Sequence, residues 1–560
     1  MAETDTTDAP RKRPRQPTSD PKYPRKRSVK ACHVCRARKT KFDPASLEIL
    51  RQLGQIITSQ DELTQTVRAI AAQSHAGLGL SQSQNLGSNC DVTAQTQRTV
   101  PTEWFAGQPE SASTTPASSA SVAAVRWFGI LANDAPGEVF TEADALQGEL
   151  LDTSTDGQAD SDITPLQRAT RAIDAQPDVS DRRSSVSEES LWQASESISL
   201  LDQEQSLFQN FLHRICSWLD LFDPARTFST RVPHLAVRNA GLLNAILALS
   251  SYHQSLDTSL PPSQRPDQNI ALQYYYQTLH YVQKAMRYSS YQNSQELMAT
   301  TLMVSTYEML RGSRQDWQQH LQGVFWILRS RQIEVETSSL ESTTWWAWLR
   351  QDIWVAFREK RRTYSTWMPK KGYTELDSHE LASRAVWIMA QVINFCAVDE
   401  LEGRVGWAKA LRKMLDEWQR HLTVEFSALP TMGKYEGEVF KPHLIHPQCF
   451  GLAVQLHHCS RILINAHEPH LGGIQGFLKR QKEIQQSIEM VCGISMTLTE
   501  DASSMLSSQC LFIAGMFMQD PRQKEAVLDM LDACQKRCGW PTPSLRFELE
   551  AIWKNPDALW

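Results

Sequence analysis

From about residue 201 to its end the chain keeps an almost unbroken helical repeat of apolar residues, and no other feature constrains the fold as tightly. The repeat predicts helices over 205–221, 240–255, 269–286, 294–310, 317–330, 343–358, 379–398, 407–422, 449–465, 474–498 and 523–538. Within 345–357, Trp345, Trp348, Leu349, Ile353, Ala356 and Phe357 mark one broad helical face. Alternating β-branched runs bounded by turns are nearly absent, so a parallel or antiparallel sheet has little to be built from. Of 17 tryptophans, 14 fall in 201–560, which places the core there. The expected body is all-α.

Composition changes ahead of that body. Residues 73–200 are rich in Ser, Thr, Gln and Ala and read as a low-complexity linker. Two islands interrupt it, 125–134 and the acidic, Leu-bearing run 138–152. The second reads as a short solvated helix or as an acidic-hydrophobic activation segment. No apolar run approaches the eighteen or so residues of a membrane span, and the first residues carry no secretory pattern. With 11 scattered cysteines and no export signal, reduced thiols inside the cell are expected.

The formal net charge of −6 conceals an asymmetry. Residues 1–41 hold 13 Lys and Arg against 4 Asp and Glu, while the rest holds 44 against 59. A basic arm of +9 on a body of −15 points to a polyanion as the partner of the arm alone. Residues 1–30 have no hydrophobic period and read as disordered. Their two clusters, Arg11-Lys12-Arg13-Pro14-Arg15 and Arg25-Lys26-Arg27, have the form of a bipartite nuclear import signal, which makes the nucleus the expected location.

Over 44–72, Ile49, Leu53, Ile56, Gln60, Leu63, Val67 and Ile70 recur at spacings of four and three. This heptad seam predicts a short parallel coiled coil, with Gln60 as the polar member that fixes register. The competing reading is an amphipathic helix docked on its own core.

Between arm and heptads, over 31–42, lies the densest local signal: Cys32-His33-Val34-Cys35-Arg36-Ala37-Arg38-Lys39-Thr40-Lys41. A Cys-x-x-Cys turn presents two thiolates to one tetrahedral zinc, and the basic run after it would lie against a phosphate backbone. This segment resembles the first half of the fungal six-cysteine binuclear zinc cluster, the DNA-binding module of a large family of fungal transcription factors. The resemblance implies zinc on Cys32 and Cys35, DNA contacts from Lys30, Arg36, Arg38, Lys39 and Lys41, and dimerisation through the following heptads. The pattern then breaks: the third cysteine is expected at Phe42, and no cysteine follows until Cys90. Two thiolates cannot hold two zinc ions, and His33, inside the turn, reads as facing solvent or DNA. Three explanations stand open: a transcript that has lost an exon, a natural variant that binds DNA through charge, or ligands completed by another chain.

The body resembles the same family. Asn239-Ala240-Gly241-Leu242-Leu243-Asn244, His320-Leu321-Gln322-Gly323, Arg350-Gln351-Asp352 and Gly539-Trp540-Pro541 follow the order of the fungal-specific transcription factor regulatory domain, in the manner of the arginine-catabolism-regulator-like subgroup. That implies a helical region responsive to a small-molecule effector or a partner. The crowd His443, His446, Cys449, His457, His458 and Cys459 lies on or before an apolar helix and reads as core or boundary rather than metal site. Cys534 and Cys538, one turn apart, read likewise, and His467-Glu468-Pro469-His470 lacks zinc-ligand spacing. Neither a Gly-x-Ser-x-Gly elbow nor a phosphate-binding Gly-rich loop occurs, so an enzyme is not expected. The function expected is a dimeric nuclear regulator of RNA polymerase II genes bound to duplex DNA, controlling a catabolic pathway or a biosynthetic gene cluster. The alternative is a helical regulator that has lost specific DNA binding and acts by dimerising with an intact relative.

Overall fold

The computed structural model describes residues 116–134, 163–174, 187–257, 260–312, 316–398, 403–431, 439–469, 472–541 and 543–555. The chain is all-α, and among the described residues the β contribution is one isolated bridge between Leu429 and Leu444. The main helices are α1 (Pro116–Asp134), α2 (Pro165–Ala172), α3 (Asp202–Asn210), α4 (Thr227–Ala236), α5 (Ala240–Ser255), α6 (Gln268–Ala285), α7 (Gln295–Arg311) and α8 (Asp316–Ser330). They continue with α9 (Leu340–Glu359), α10 (Ser378–Cys396), α11 (Arg404–Arg420), α12 (Gln448–His467), α13 (Gly473–Ser495), α14 (Asp501–Met516), α15 (Pro521–Cys538) and α16 (Pro543–Lys554). No single described helix is long and apolar enough to cross a membrane.

Local chemistry sets many of the boundaries. The Asn239 side chain accepts from the Leu242 amide at 2.8 Å and starts α5. Ser294 starts α7 and Ser339 starts α9 in the same way, at 3.0 and 3.1 Å. A capping box of Asp377 and Glu380 opens α10. Gly312 and Gly539, in the left-handed region, end α7 and α15. α5 is apolar on nearly all sides, the mark of a helix enclosed by others, and it packs on α3, α6 and α7. A second group centres on α12, which packs against α10, α13 and α14. α9 runs between the two groups, touching α7 and α8 on one side and α10 on the other.

Three parts depart from the sequence reading. Within 73–200, read as linker, α1 packs along α8 with Trp127 fully buried, and α2 buries Leu166 against α5. The Ala- and Ser-rich composition of α1 hides its seam of Ala123, Ala124, Trp127 and Leu131. The helix foreseen over 205–221 is broken by a π turn, Phe211–Ile215, before resuming as Cys216–Leu219. α4, interrupted by Pro233, and α14, whose Ser503, Ser504, Ser507 and Ser508 are all buried, carry no apolar repeat strong enough to read. α14 is buried around most of its girth, so its apolar residues mark no single face.

Candidate functional site: an arginine-lined cleft

The predicted DNA contacts Lys30, Arg36, Arg38, Lys39 and Lys41 and the thiols Cys32 and Cys35 lie outside the described residues. So do the import clusters Arg11, Lys12, Arg13, Arg15, Arg25, Lys26 and Arg27, the heptad residues Ile49, Leu53, Ile56, Leu63, Val67 and Ile70, and the acidic run 138–152. The candidate site that can be described is therefore in the helical body.

It is built on α9. An amphipathic helix would bury only apolar side chains here, yet Arg350, Gln351 and Asp352 are consecutive and all buried. Each therefore needs partners inside the protein. Gln351 donates to Thr306 Oγ1 and accepts from Ser305 Oγ, both at 2.9 Å, which ties α9 to α7. Asp352 accepts from the Tyr364 amide at 2.7 Å and ion-pairs with Arg361 at 2.9 Å. Burial pushes its carboxyl up to about 6, against the pull of the Arg361 guanidinium. Arg350 reaches the other way: Nη2 donates to the carbonyls of Trp218 and Leu219 at 3.0 and 2.9 Å, closing the end of the helical turn Cys216–Leu219. Burial pulls the Arg350 guanidinium down to about 10, with Asp220 pulling the other way.

Arg350 forms part of the wall of a cleft of about 170 Å³. The cleft lies between residues 219–224, the approach to α9 and the start of α10. Its apolar walls come from Phe222, Trp346 and Trp367, the two indoles meeting edge to face at 5.8 Å. Its carboxylates are engaged. Asp223 accepts from the Thr227 amide and from Thr343 Oγ1 at 2.8 and 3.0 Å. Glu336 pairs with Arg384 at 3.2 Å, and Glu380 pairs with Lys371 while capping α10. Arg384 also donates to the Lys371 carbonyl and lies over the Tyr373 ring.

The sequence offered one trace of this site, a charged residue inside an otherwise apolar helical face at 345–357. Read alone, it marks family likeness. Its partner groups arrive from 219–224, 336 and 384, separations over which no local repeat carries information.

The other clusters fall as follows. His457 stacks on Trp418 at 5.0 Å and accepts from Arg461 Nε at 3.0 Å, and burial holds it well below the ordinary histidine range. Cys459 donates to the Cys510 carbonyl, and burial raises its thiol well above the usual value. Cys534 and Cys538 are both buried, with the Cys538 thiol pushed up to about 12. His467 Nδ1 bonds the Leu463 carbonyl. Among the described residues no three His, Cys, Asp or Glu side chains converge as metal ligands would.

Residues 206–349 match the model of the fungal specific transcription factor domain. The chain is also similar to transcription activator AMTR1 of Alternaria alternata, 25% identical over 352 residues. That alignment covers 48% of this chain and 46% of the relative, so the chain spans about half of that protein's length. No solved structure matches. The matched domain includes the start of α9 and the 219–224 side of the cleft. Domain and relative together support a fungal transcription regulator.

Proposed function

We propose that this chain is a nuclear regulator of RNA polymerase II genes of the zinc-cluster class, controlling a catabolic pathway or a biosynthetic gene cluster. The observation that carries the reading is the fungal transcription factor domain over 206–349, preceded in one chain by a basic arm and a heptad seam in the order such a regulator needs. Lys30, Arg36, Arg38, Lys39 and Lys41 meet the phosphate backbone of duplex DNA, and Ile49, Leu53, Ile56, Leu63, Val67 and Ile70 form the dimer seam, with a second copy or with a related factor. The helical body modulates activity, and a small-molecule effector acts on it.

Zinc is the group the resemblance implies, and the donor set does not fit it. Cys32 and Cys35 supply two of the six thiolates, Phe42 stands at the third position, and Cys90 comes far too late. The arm's charge therefore supplies phosphate contacts only, and a sequence preference requires base contacts made without a complete cluster. The same observation favours a second reading, a dimerising regulator without specific DNA recognition.

The purified full chain, titrated with zinc and assayed on a selected duplex and a random one, separates the two. The first reading requires tighter binding to the selected duplex; equal binding to both leaves the second. Two zinc ions per chain in native mass spectrometry would overturn the argument from the donor set.

A further inference from the structure

Burying a guanidinium costs several kcal/mol unless it is paired, and proteins usually supply a carboxylate. Arg350 is 7% exposed, and among the described residues no carboxylate oxygen lies within ion-pair distance of it. Its two hydrogen bonds both use Nη2 and both go to backbone carbonyls, which are neutral acceptors. Nε and Nη1 have no hydrogen-bond partner among the described residues, so either can give a single bond to an anion beside the occupied Nη2. Packing around the residue is also loose. Besides the 170 Å³ cleft, Arg350 borders two smaller voids of about 20 and 30 Å³, each with room for about one water.

The cleft's carboxylates already have partners, Asp377 among them as the cap that opens α10. Asp223 is held by amide and hydroxyl donors, Glu336 by Arg384 and Glu380 by Lys371. The site thus has on its inner wall a guanidinium without a direct ion pair, on which Asp220 acts from farther off, together with aromatic faces from Phe222, Trp346 and Trp367 and a rim of carboxylates. One cation suits one carboxylate, and the acidic rim opposes a dianion such as phosphate more strongly than a single charge. A volume of about 170 Å³ is close to the cavity of about 150 Å³ known to accept a benzene ring.

We propose that this cleft binds a small aromatic monocarboxylate, its carboxylate paired with Arg350 and its ring against Trp346 and Trp367. That such a ligand is the effector of transcription rests on the regulatory reading above; that it binds does not.

The probes are benzoate, phenylacetate and 3-phenylpropionate, with phenylacetamide as the uncharged counterpart of the second. They are titrated into the full chain by calorimetry and by tryptophan fluorescence. At least one carboxylate should bind saturably at one per chain, and phenylacetamide at least tenfold more weakly than phenylacetate. Arg350→Gln should weaken the carboxylate at least tenfold while leaving phenylacetamide unchanged. Because Arg350 also closes the Cys216–Leu219 turn, Ser383→Phe provides an independent variant that keeps the arginine and fills the cleft, and it too should abolish binding. The proposal is overturned by any of three results: none of the carboxylates saturating, phenylacetamide matching phenylacetate, or both variants binding like the parent. Inorganic phosphate binding as tightly as phenylacetate would overturn the choice of ligand class. None of these results bears on DNA binding by the arm, so the two readings fail separately.

Discussion

Gly241 shows how a single position sets a helix crossing. A Cβ built there would meet the Tyr281 ring at 2.3 Å, closer than any carbon tolerates. Both neighbours are fixed: α5 is buried on all sides, and the Tyr281 hydroxyl donates to the Trp192 carbonyl while accepting from Asn239. Gly241→Ala therefore forces backbone movement despite the higher helix propensity of alanine, and it should destabilise by about 1–3 kcal/mol. Urea denaturation checks the sign; a stabilised variant would mean that α6 yields freely. A second residue-scale consequence concerns pH. Burial holds His253 and His457 below the ordinary value of 6.5, so the folded chain keeps them neutral where the unfolded chain takes up protons. Their contribution is complete above about pH 6.5 and is lost as pH falls below it. The raised Asp352 carboxyl works in the opposite direction below about pH 6, so total stability mixes the two. His457→Gln isolates one of them. It keeps an acceptor for Arg461 and removes the titration, and the fall in urea midpoint between pH 7 and pH 5 should be shallower than in the parent.

At the scale of elements, what was legible in the sequence and what was not divide along a physical line. Helices with a long apolar repeat, such as α9, α10 and α12, differ from their expected spans by three residues or fewer at either end. α1 and α14 were not legible: α1 lies in an Ala- and Ser-rich stretch whose composition reads as linker, and α14 is buried around most of its girth, so no single apolar face stands out. The π turn Phe211–Ile215 was not legible either, since its cause is tertiary. Arg214, within it, donates to Asp501 at 2.9 Å, to Asp257 at 3.3 Å and to the Arg537 carbonyl at 2.6 Å. One side chain thus joins segments more than 300 positions apart. α1 allows the clearest test. Gly323 on α8 has no room for a Cβ, because the Trp127 ring lies 2.4 Å from where it would stand, and Arg126 lies over the Trp326 ring at 3.7 Å. Trp127→Ala should cost about 3–5 kcal/mol, within the range for emptying a buried tryptophan site. It should also open 116–134 to proteases before the rest of the body. Unchanged stability and protease resistance would make α1 an ornament on the linker rather than part of the core.

The cleft was less legible than the helices for the same reason that governs the whole molecule: charge and sequence distance decide more than local pattern. The net charge of −6 would argue against a nucleic-acid partner, yet it is the sum of an arm at +9 and a remainder at −15. The two halves should behave oppositely toward DNA, because counterion release depends on cations at the contact and not on the total. If about five of the arm's 13 basic residues meet phosphates, log K should fall with log salt at a slope of about −4 to −5. Removing residues 1–41 should take that slope toward zero, because the acidic remainder repels the duplex. Fluorescence anisotropy on a random duplex between 50 and roughly 200 mM salt measures both, over a range where such contacts are strongly screened. A truncated chain that keeps its slope would place the DNA contacts on the helical body. The arm's cations would then have no duplex to meet, and the import clusters Arg11-Lys12-Arg13-Pro14-Arg15 and Arg25-Lys26-Arg27 would account for seven of its 13 basic residues.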